Sequence, residues 1–441
     1  MPRSFVSDCE GFHRRDFLKI GAGGLFGLTL PQLLRLEAQA SPAEQRKRRA
    51  NAVIMLWLGG GPSHQDMWDL KPCAREGIRS LFKPIPTKAS GVQISEHLPK
   101  TAQVADKIAI VRSLYHSIPA HGPASVFMTT GNKPTPALEY PSMGSLTAKL
   151  MKTEKGIPPY VHFGNLNGDR GGGAGYLGTA YNPFLVEGNG GGKRGSFRVR
   201  GIQLPADFTL DELEKRDKLF KGFEETFRSL EQSADLVEGF DAFHKQALEI
   251  LRSDKTKKAF DLNQEPPKMR ERYGSTPFGQ GVLAARRLVE SGVRFVTISL
   301  GGWDTHANNF DRLSKQLLPS LDQTLSALVD DLDARGLLDS TIVYCAGEFG
   351  RTPKINKNAG RDHWARSMAV VLAGGGIKRG YVHGSTDAQG MAPVAEPCTP
   401  DDICATIFHC LGIDPHTELM TATGRPIQLF REGRVLEKLL A

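Results

Sequence analysis

Residues 52 to 69 read AVIMLWLGGGPSHQDMWD. An unbroken apolar run from Ala52 to Leu58 stops at glycines and then meets His64, Asp66 and Asp69. A strand apolar at every position is buried on both faces, as strands of parallel sheets are. The polar cluster follows at its carboxyl end, where open α/β sheets place their ligands. The same pattern recurs along the chain. Ile108 to Val111 leads into RSLYHSIPAHGP and Arg294 to Leu300 into GGWDTH, while Thr341 to Ala346 enters GEFGRTP and Met368 to Ala373 enters GGGIKRG. Helical patterns lie between these runs. Leu313, Leu317, Leu321, Leu325, Leu328 and Leu332 recur at the three- and four-residue spacing of one helix face. Arg335-Gly336 supplies a closing cation and a left-handed cap, and Pro319 predicts a kink or a restart. A second helix is expected over Gln280 to Glu290. Strand and helix in alternation predict an α/β/α sandwich around a mostly parallel sheet. A charged helical stretch over about 207–270 is expected as an insert, and the Gly-rich stretches between Asn167 and Gly195 as loops near the strand tips.

The chain has 441 residues, 40% of them hydrophobic and 24% charged, with a formal charge of +8. That balance excludes collagen-like, disordered and multi-span membrane classes. No dense basic-aromatic stripe is present, so no nucleic-acid partner is expected. The charge suits an anionic ligand.

Residues 12 to 20 read FHRRDFLKI, in which Arg14 and Arg15 resemble a twin-arginine export signal. A Gly-broken apolar run from Ile20 to Leu34 follows, then Ala38-Gln39-Ala40 as a cleavage site. The expectation is a signal over residues 1–40 and a single domain over 41–441, at the periplasm or cell surface, with no stable membrane span after signal removal. Five cysteines lie in the mature part: Cys73, Cys345, Cys398, Cys404 and Cys410. None has zinc-type spacing. An oxidising compartment permits a bridge such as Cys398 to Cys404; otherwise they read as small core residues.

Histidines and carboxylates gather at the strand exits. His64 and Asp66 follow the first strand, His116 and His121 the second, Asp304 and His306 the RFVTISL strand, and Glu348 the TIVYCA strand, with Asp362-His363 downstream. Imidazoles and carboxylates converging on one sheet edge suit a divalent ion of the zinc, manganese or calcium type, one or two in number. Each residue has a plainer alternative. His64 can cap a loop, Asp69 a turn, and His116 can be a core histidine. Glu348 can form a structural pair with Arg351. His97, His162, His244, His409 and His416 read as structural, and His383 is ambiguous.

These residues in this order resemble the alkaline phosphatase and sulfatase superfamily. The carriers are the apolar first strand, HGPASVFMTTG, Asp304-Thr305-His306, the helix leading into STIVYCAGEFG, Asp362-His363 and the closing TPDDICATIFHCLGIDP. Within it, GGPSH, GWDTH, GEFGRTP and GRDHW resemble an exported bacterial family of unknown function, number 1501 in its series. The resemblance implies in-line displacement at phosphorus or sulfur with metal assistance. It also exposes departures. The sulfatase nucleophile slot falls on His121, so formylglycine chemistry is not supported, and the usual Asp-His pair falls on Glu348 and Phe349. The first-strand aspartate slot holds glycine or serine.

The expectation is an exported, metal-dependent hydrolase of phosphate or sulfate esters, its anionic substrate drawn from candidates that include a polysaccharide. Asp304, His306, His363 and Asp362 would serve one metal; His64 or Asp66, with Glu348, the other. His121 and Arg351 would be catalytic, and Lys133 and Arg361 would bind the anion. The alternative is a non-catalytic surface module binding sulfated or phosphorylated glycans or a protein partner.

Overall fold

The computed structural model describes residues 48–164, 172–187, 198–199, 249–250 and 253–441. The expected export signal and most of the expected insert lie outside these residues; of the stretch expected as Gly-rich loops, residues 172–187 are described, and there Phe184–Glu187 is a strand of the central sheet and not a loop. Among the described residues no helix is long and apolar enough to cross a membrane.

The apolar runs form the strands of one nine-stranded sheet. In chain order they are β1 (Ala52–Gly59), β2 (Ile108–Leu114), β3 (Tyr160–Phe163), β4 (Phe184–Glu187), β5 (Arg198–Val199), β6 (Phe295–Gly301), β7 (Thr341–Ala346), β8 (Met368–Ala373) and β9 (Tyr381–His383). Across the sheet the order is β9-β2-β8-β7-β1-β6-β3-β4-β5. β1 lies at the centre, parallel to both β6 and β7. Its side chains alternate between faces. Ile54, Leu56 and Leu58 enter one core, which also holds Val282 and Leu325, and Val53 and Met55 enter the other, with Leu146 and Phe408.

β8 departs from the expected direction, since it runs antiparallel to both β7 and β2. A continuous apolar run reports burial on both faces, not strand direction. Between β7 and β8 the chain makes only a short ribbon, Gly350–Arg351 paired with His363–Trp364. With no crossover helix to carry it back, the next strand returns antiparallel.

The helices that position the site are α1 (His121–Thr130), α2 (Met143–Leu150), α3 (Pro277–Glu290), α4 (Leu318–Ala334) and α5 (Pro400–Cys410). α3 and α4 cover the Ile54 face, whereas α2 and α5 cover the Met55 face. The leucine-patterned segment begins as a helical turn at Asn309–Arg312, passes through a π-helical turn at Leu313–Leu317 and continues as α4. Pro319 is the second residue of α4, directly after the π turn, so its missing N–H interrupts the bonding between the two segments. The restart expected there takes the form of the π turn. Gly336 closes the helix with φ of +68°. The described cysteines are all free, and Cys345, Cys398, Cys404 and Cys410 are buried, so the permitted Cys398–Cys404 bridge is not formed.

Candidate metal centre

The carboxyl ends of β1, β6 and β7 meet at one edge, and the polar clusters from each come together there. Gly60, after β1, has φ of +120°, and a Cβ on it would lie 2.3 Å from the backbone nitrogen of Asp304. Only glycine lets the exit of β1 pass so close to the exit of β6. The Gly60 N–H donates to both carboxylate oxygens of Glu348, at 2.9 and 3.1 Å. Glu348 is 3% exposed, and this pairing lowers the cost of burying its charge.

Three imidazoles surround Asp304. His121 opens α1 and gives its Nδ1–H to Glu348 Oε1 at 2.6 Å. His363 gives its Nδ1–H to the carbonyl of Pro119 at 2.8 Å. His306 gives its Nδ1–H to Asp362 Oδ1 at 2.7 Å. A neutral imidazole with Nδ1 protonated offers a bare lone pair at Nε2. These three Nε2 atoms turn to the Asp304 carboxylate, with His121 3.4 Å from Oδ2, and His306 and His363 3.1 and 3.2 Å from Oδ1. Ligand atoms of His121, Asp304 and His363 all lie within 4.8 Å of one another.

The donor chemistry fits a cation. Nε2 of His306 and Nε2 of His363 lie 3.0 Å apart. Both Nδ1 hydrogens are already given away, so in the neutral rings two lone pairs face each other. A shared cation, proton or metal, turns that repulsion into attraction. Oxygen and nitrogen donors backed by carboxylates and a carbonyl are the usual surroundings of a metal-binding histidine set.

The electrostatics follow from the same contacts. Burial pulls the Asp304 carboxyl upward, but the Arg351 hydrogen bond and charge outweigh it and bring it to about 2. His306 donation holds Asp362 low. Glu348 raises His121, while burial lowers His363.

The two arginines and the first-strand cluster take places other than those expected. Arg351 is fully buried. It donates to the carbonyls of Gly61 at 2.8 Å and Arg361 at 3.0 Å and pairs with Asp304. Enclosed in this way it fixes Asp304 and presents no face to a substrate. Arg361, also fully buried, forks onto Asp66 at 2.8 and 3.0 Å. Asp66 further accepts from Ser63 at 2.6 Å and Asn309 at 2.9 Å. Its charge is neutralised there, so neither Asp66 nor Arg361 joins the centre. His64 bonds Ser367 Oγ at 3.1 Å and is pushed down to about 4 by burial. It too stands outside the cluster. Glu348 and Asp362 reach the centre only through His121 and His306. Lys133 is exposed and sits 6.0 Å over the Phe127 ring. His116 is a core histidine, taking the Ile118 N–H at 3.1 Å and donating to the Glu348 carbonyl at 2.7 Å.

A cavity of about 410 Å³ opens beside His121, Asp304 and Glu348 and runs along the sheet past Trp57, Tyr160, His162 and Thr297. Sequence reading left His162 as structural. The available signal was the run of polar side chains, His162, Thr297 and Ser299, at alternating positions of strands otherwise apolar.

In outline the fold resembles several solved enzymes. A sulfatase from Pseudoalteromonas sp. aligns with a TM-score of 0.36 and 13% identity, over 91% of this chain and 72% of its own. A phosphonate monoester hydrolase from Silicibacter pomeroyi gives 0.34 and 10%, over 89% and 76%. The lipoteichoic acid synthase LtaP from Listeria monocytogenes gives 0.32 and 11%, over 88% and 77%. No curated protein matches the sequence. The model of a family described as protein of unknown function, DUF1501, matches residues 50–440, which take in every strand, helix and ligand described above. This chain belongs to the DUF1501 family.

Proposed function

We propose that this chain is an exported, metal-dependent hydrolase of phosphate or sulfate esters, acting in the periplasm or at the cell surface. One arrangement carries the reading: three imidazoles, each tied at Nδ1 to an acceptor, turn Nε2 toward the Asp304 carboxylate. His121, His306, His363 and Asp304 would hold a divalent ion. A set rich in nitrogen favours zinc or manganese over calcium, which takes oxygen ligands. The ion would supply Lewis-acid polarisation of the ester oxygens.

The chain's own residues do the rest. Glu348 and Asp362 orient the imidazoles of His121 and His306 and raise their basicity. Arg351 keeps Asp304 ionised and in place. The amino end of α1, which starts at His121, adds partial positive charge where an anionic ester would lie. Export rests on the Arg14-Arg15 motif and the small-residue site that follows it.

A different observation favours a second reading. Among the described residues no serine, threonine or cysteine side chain is hydrogen-bonded to His121, Asp304, His306 or His363. The same centre in a non-catalytic module would bind a sulfated or phosphorylated glycan without cleaving it.

Elemental analysis of the washed, mature protein tests the first reading. One equivalent of zinc or manganese, with metal-dependent turnover on a panel of aryl phosphate and sulfate esters, is the expected result. A folded protein that takes up no ion overturns it, and metal uptake with ester binding but no turnover selects the second reading.

A further inference from the structure

The cavity beside the centre lies on a sheet face where burial calls for apolar side chains. On the opposite face of the same strands stand Ile54, Val161 and Val296, all fully buried. On the cavity face, Tyr160 and His162 of β3 and Thr297 and Ser299 of β6 line the space instead. His162 and Thr297 are direct neighbours in the parallel register. Their mutual satisfaction is poor. The Tyr160 hydroxyl is 3.4 Å from His162 Nδ1 and 3.3 Å from Thr297 Oγ1, near the outer limit of a hydrogen bond. The Ser142 hydroxyl also serves Tyr160, and side chains joined by such long bonds keep donors and acceptors to offer a ligand.

The chemistry of the lining narrows the ligand. Burial pushes Tyr160 up to about 12 and His162 down to about 4, so both are neutral at physiological pH. Among the described residues no lysine or arginine lines the cavity, and the ionisable groups Asp304, Glu348 and His121 belong to the metal end. Trp57 and Met143 supply apolar wall between the polar groups. An acyl chain would leave the hydroxyls and imidazole without partners, and an anionic group away from the metal end would meet no cation among the described residues. A ring with C–H faces and hydroxyl edges satisfies both kinds of surface. The volume of about 410 Å³ lies in the lower part of the usual small-molecule range of roughly 300–1,000 Å³, which suits one ring and not a chain of them.

We propose that this cavity binds an uncharged, polyhydroxylated ring such as a single neutral sugar unit, held by Tyr160, His162, Thr297 and Ser299 against Trp57. It rests on the hydrolase reading only in making that ring the part of the ester substrate next to the scissile group. Ring binding itself does not need the metal.

Saturation-transfer NMR with a panel of neutral methyl glycosides, run on the mature chain with and without zinc, tests it. The expected result is saturable binding of at least one glycoside in both states. Thr297→Val, which keeps the volume and removes the hydroxyl, is expected to weaken binding several-fold. Ser299→Phe, at an exposed position that folding tolerates, is expected to weaken it at least tenfold by filling the cavity mouth. Failure of every glycoside to bind overturns the proposal, as does binding that Ser299→Phe leaves intact or that octanol displaces while myo-inositol does not. Metal uptake without glycoside binding removes this proposal and leaves the hydrolase reading. Glycoside binding without metal uptake does the reverse.

Discussion

Glu348 and Asp362 each receive an imidazole N–H, from His121 at 2.6 Å and from His306 at 2.7 Å, and through those rings they set where the Nε2 lone pairs point. Replacing such an outer carboxylate generally costs about 10–100-fold in metal affinity. Glu348→Gln and Asp362→Asn are therefore expected to bind zinc about 10–100-fold more weakly by calorimetric titration, with their folds intact by circular dichroism. Asp304→Ala, which removes the ligand the three rings share, is expected to abolish high-affinity uptake. Equal, undiminished affinity in all three variants would remove the centre. His162 gives a separate residue-scale prediction. Burial lowers its folded value to about 4, below the value of about 6.5 it takes when unfolded. Its contribution is thus fully present above pH 6.5 and falls away as pH drops toward 4. The shift corresponds to about 3 kcal/mol. Urea midpoints measured from pH 7.5 to 4 should fall less steeply in His162→Gln than in the parent chain, and parallel curves would show that the imidazole is not buried neutral.

At the scale of elements, the ribbon that brings His363 back to the sheet edge closes on the loop after β6. Gly360 makes that contact possible. A Cβ there would lie 2.0 Å from the carbonyl oxygen of His306, so Gly360→Ala must push the Asp362-His363 segment away from His306. Overpacking of this kind costs about 1–3 kcal/mol. The expected outcome is a lower melting temperature together with weaker zinc binding, and a loss of one without the other would show that the ribbon and the centre are not mechanically linked. The leucine pattern from Leu313 to Leu332 and the position of Pro319 were legible because both are local. So were the strand spans Thr341–Ala346 and Met368–Ala373, which the structure reproduces residue for residue. The direction of Met368–Ala373 was not, because nothing in an apolar run records which way its neighbours point.

Across the whole molecule the two faces of the sheet are put to different uses. On the face away from the cavity, fully buried Arg286 of α3 pairs with Glu265 at 2.9 Å, Glu290 at 2.8 Å and Asp331 of α4 at 2.9 Å. Removing one member of such a buried group leaves uncompensated charge and costs about 3–5 kcal/mol. Arg286→Met is therefore expected to lower the urea midpoint markedly while the folded protein still takes up metal in the parent's ratio. A change in metal stoichiometry would mean that α3 and α4 help to shape the centre after all.

The amino-acid sequence by itself determined the layered α/β architecture, since the period of apolar residues and the placing of glycines are properties of neighbouring residues. It also determined that imidazoles and carboxylates collect at strand ends, because each cluster directly follows its own strand. Which of them meet was decided only by tertiary structure. Arg361 reaches Asp66 across 295 residues and His121 reaches Glu348 across 227, separations over which spacing carries no information. The fold drew Asp66 and Arg361 into a buried pair and set Arg351 behind Asp304. A buried charge takes whichever partner the packed chain brings within reach, and the same packing left His121, His306 and His363 facing the exposed carboxylate of Asp304.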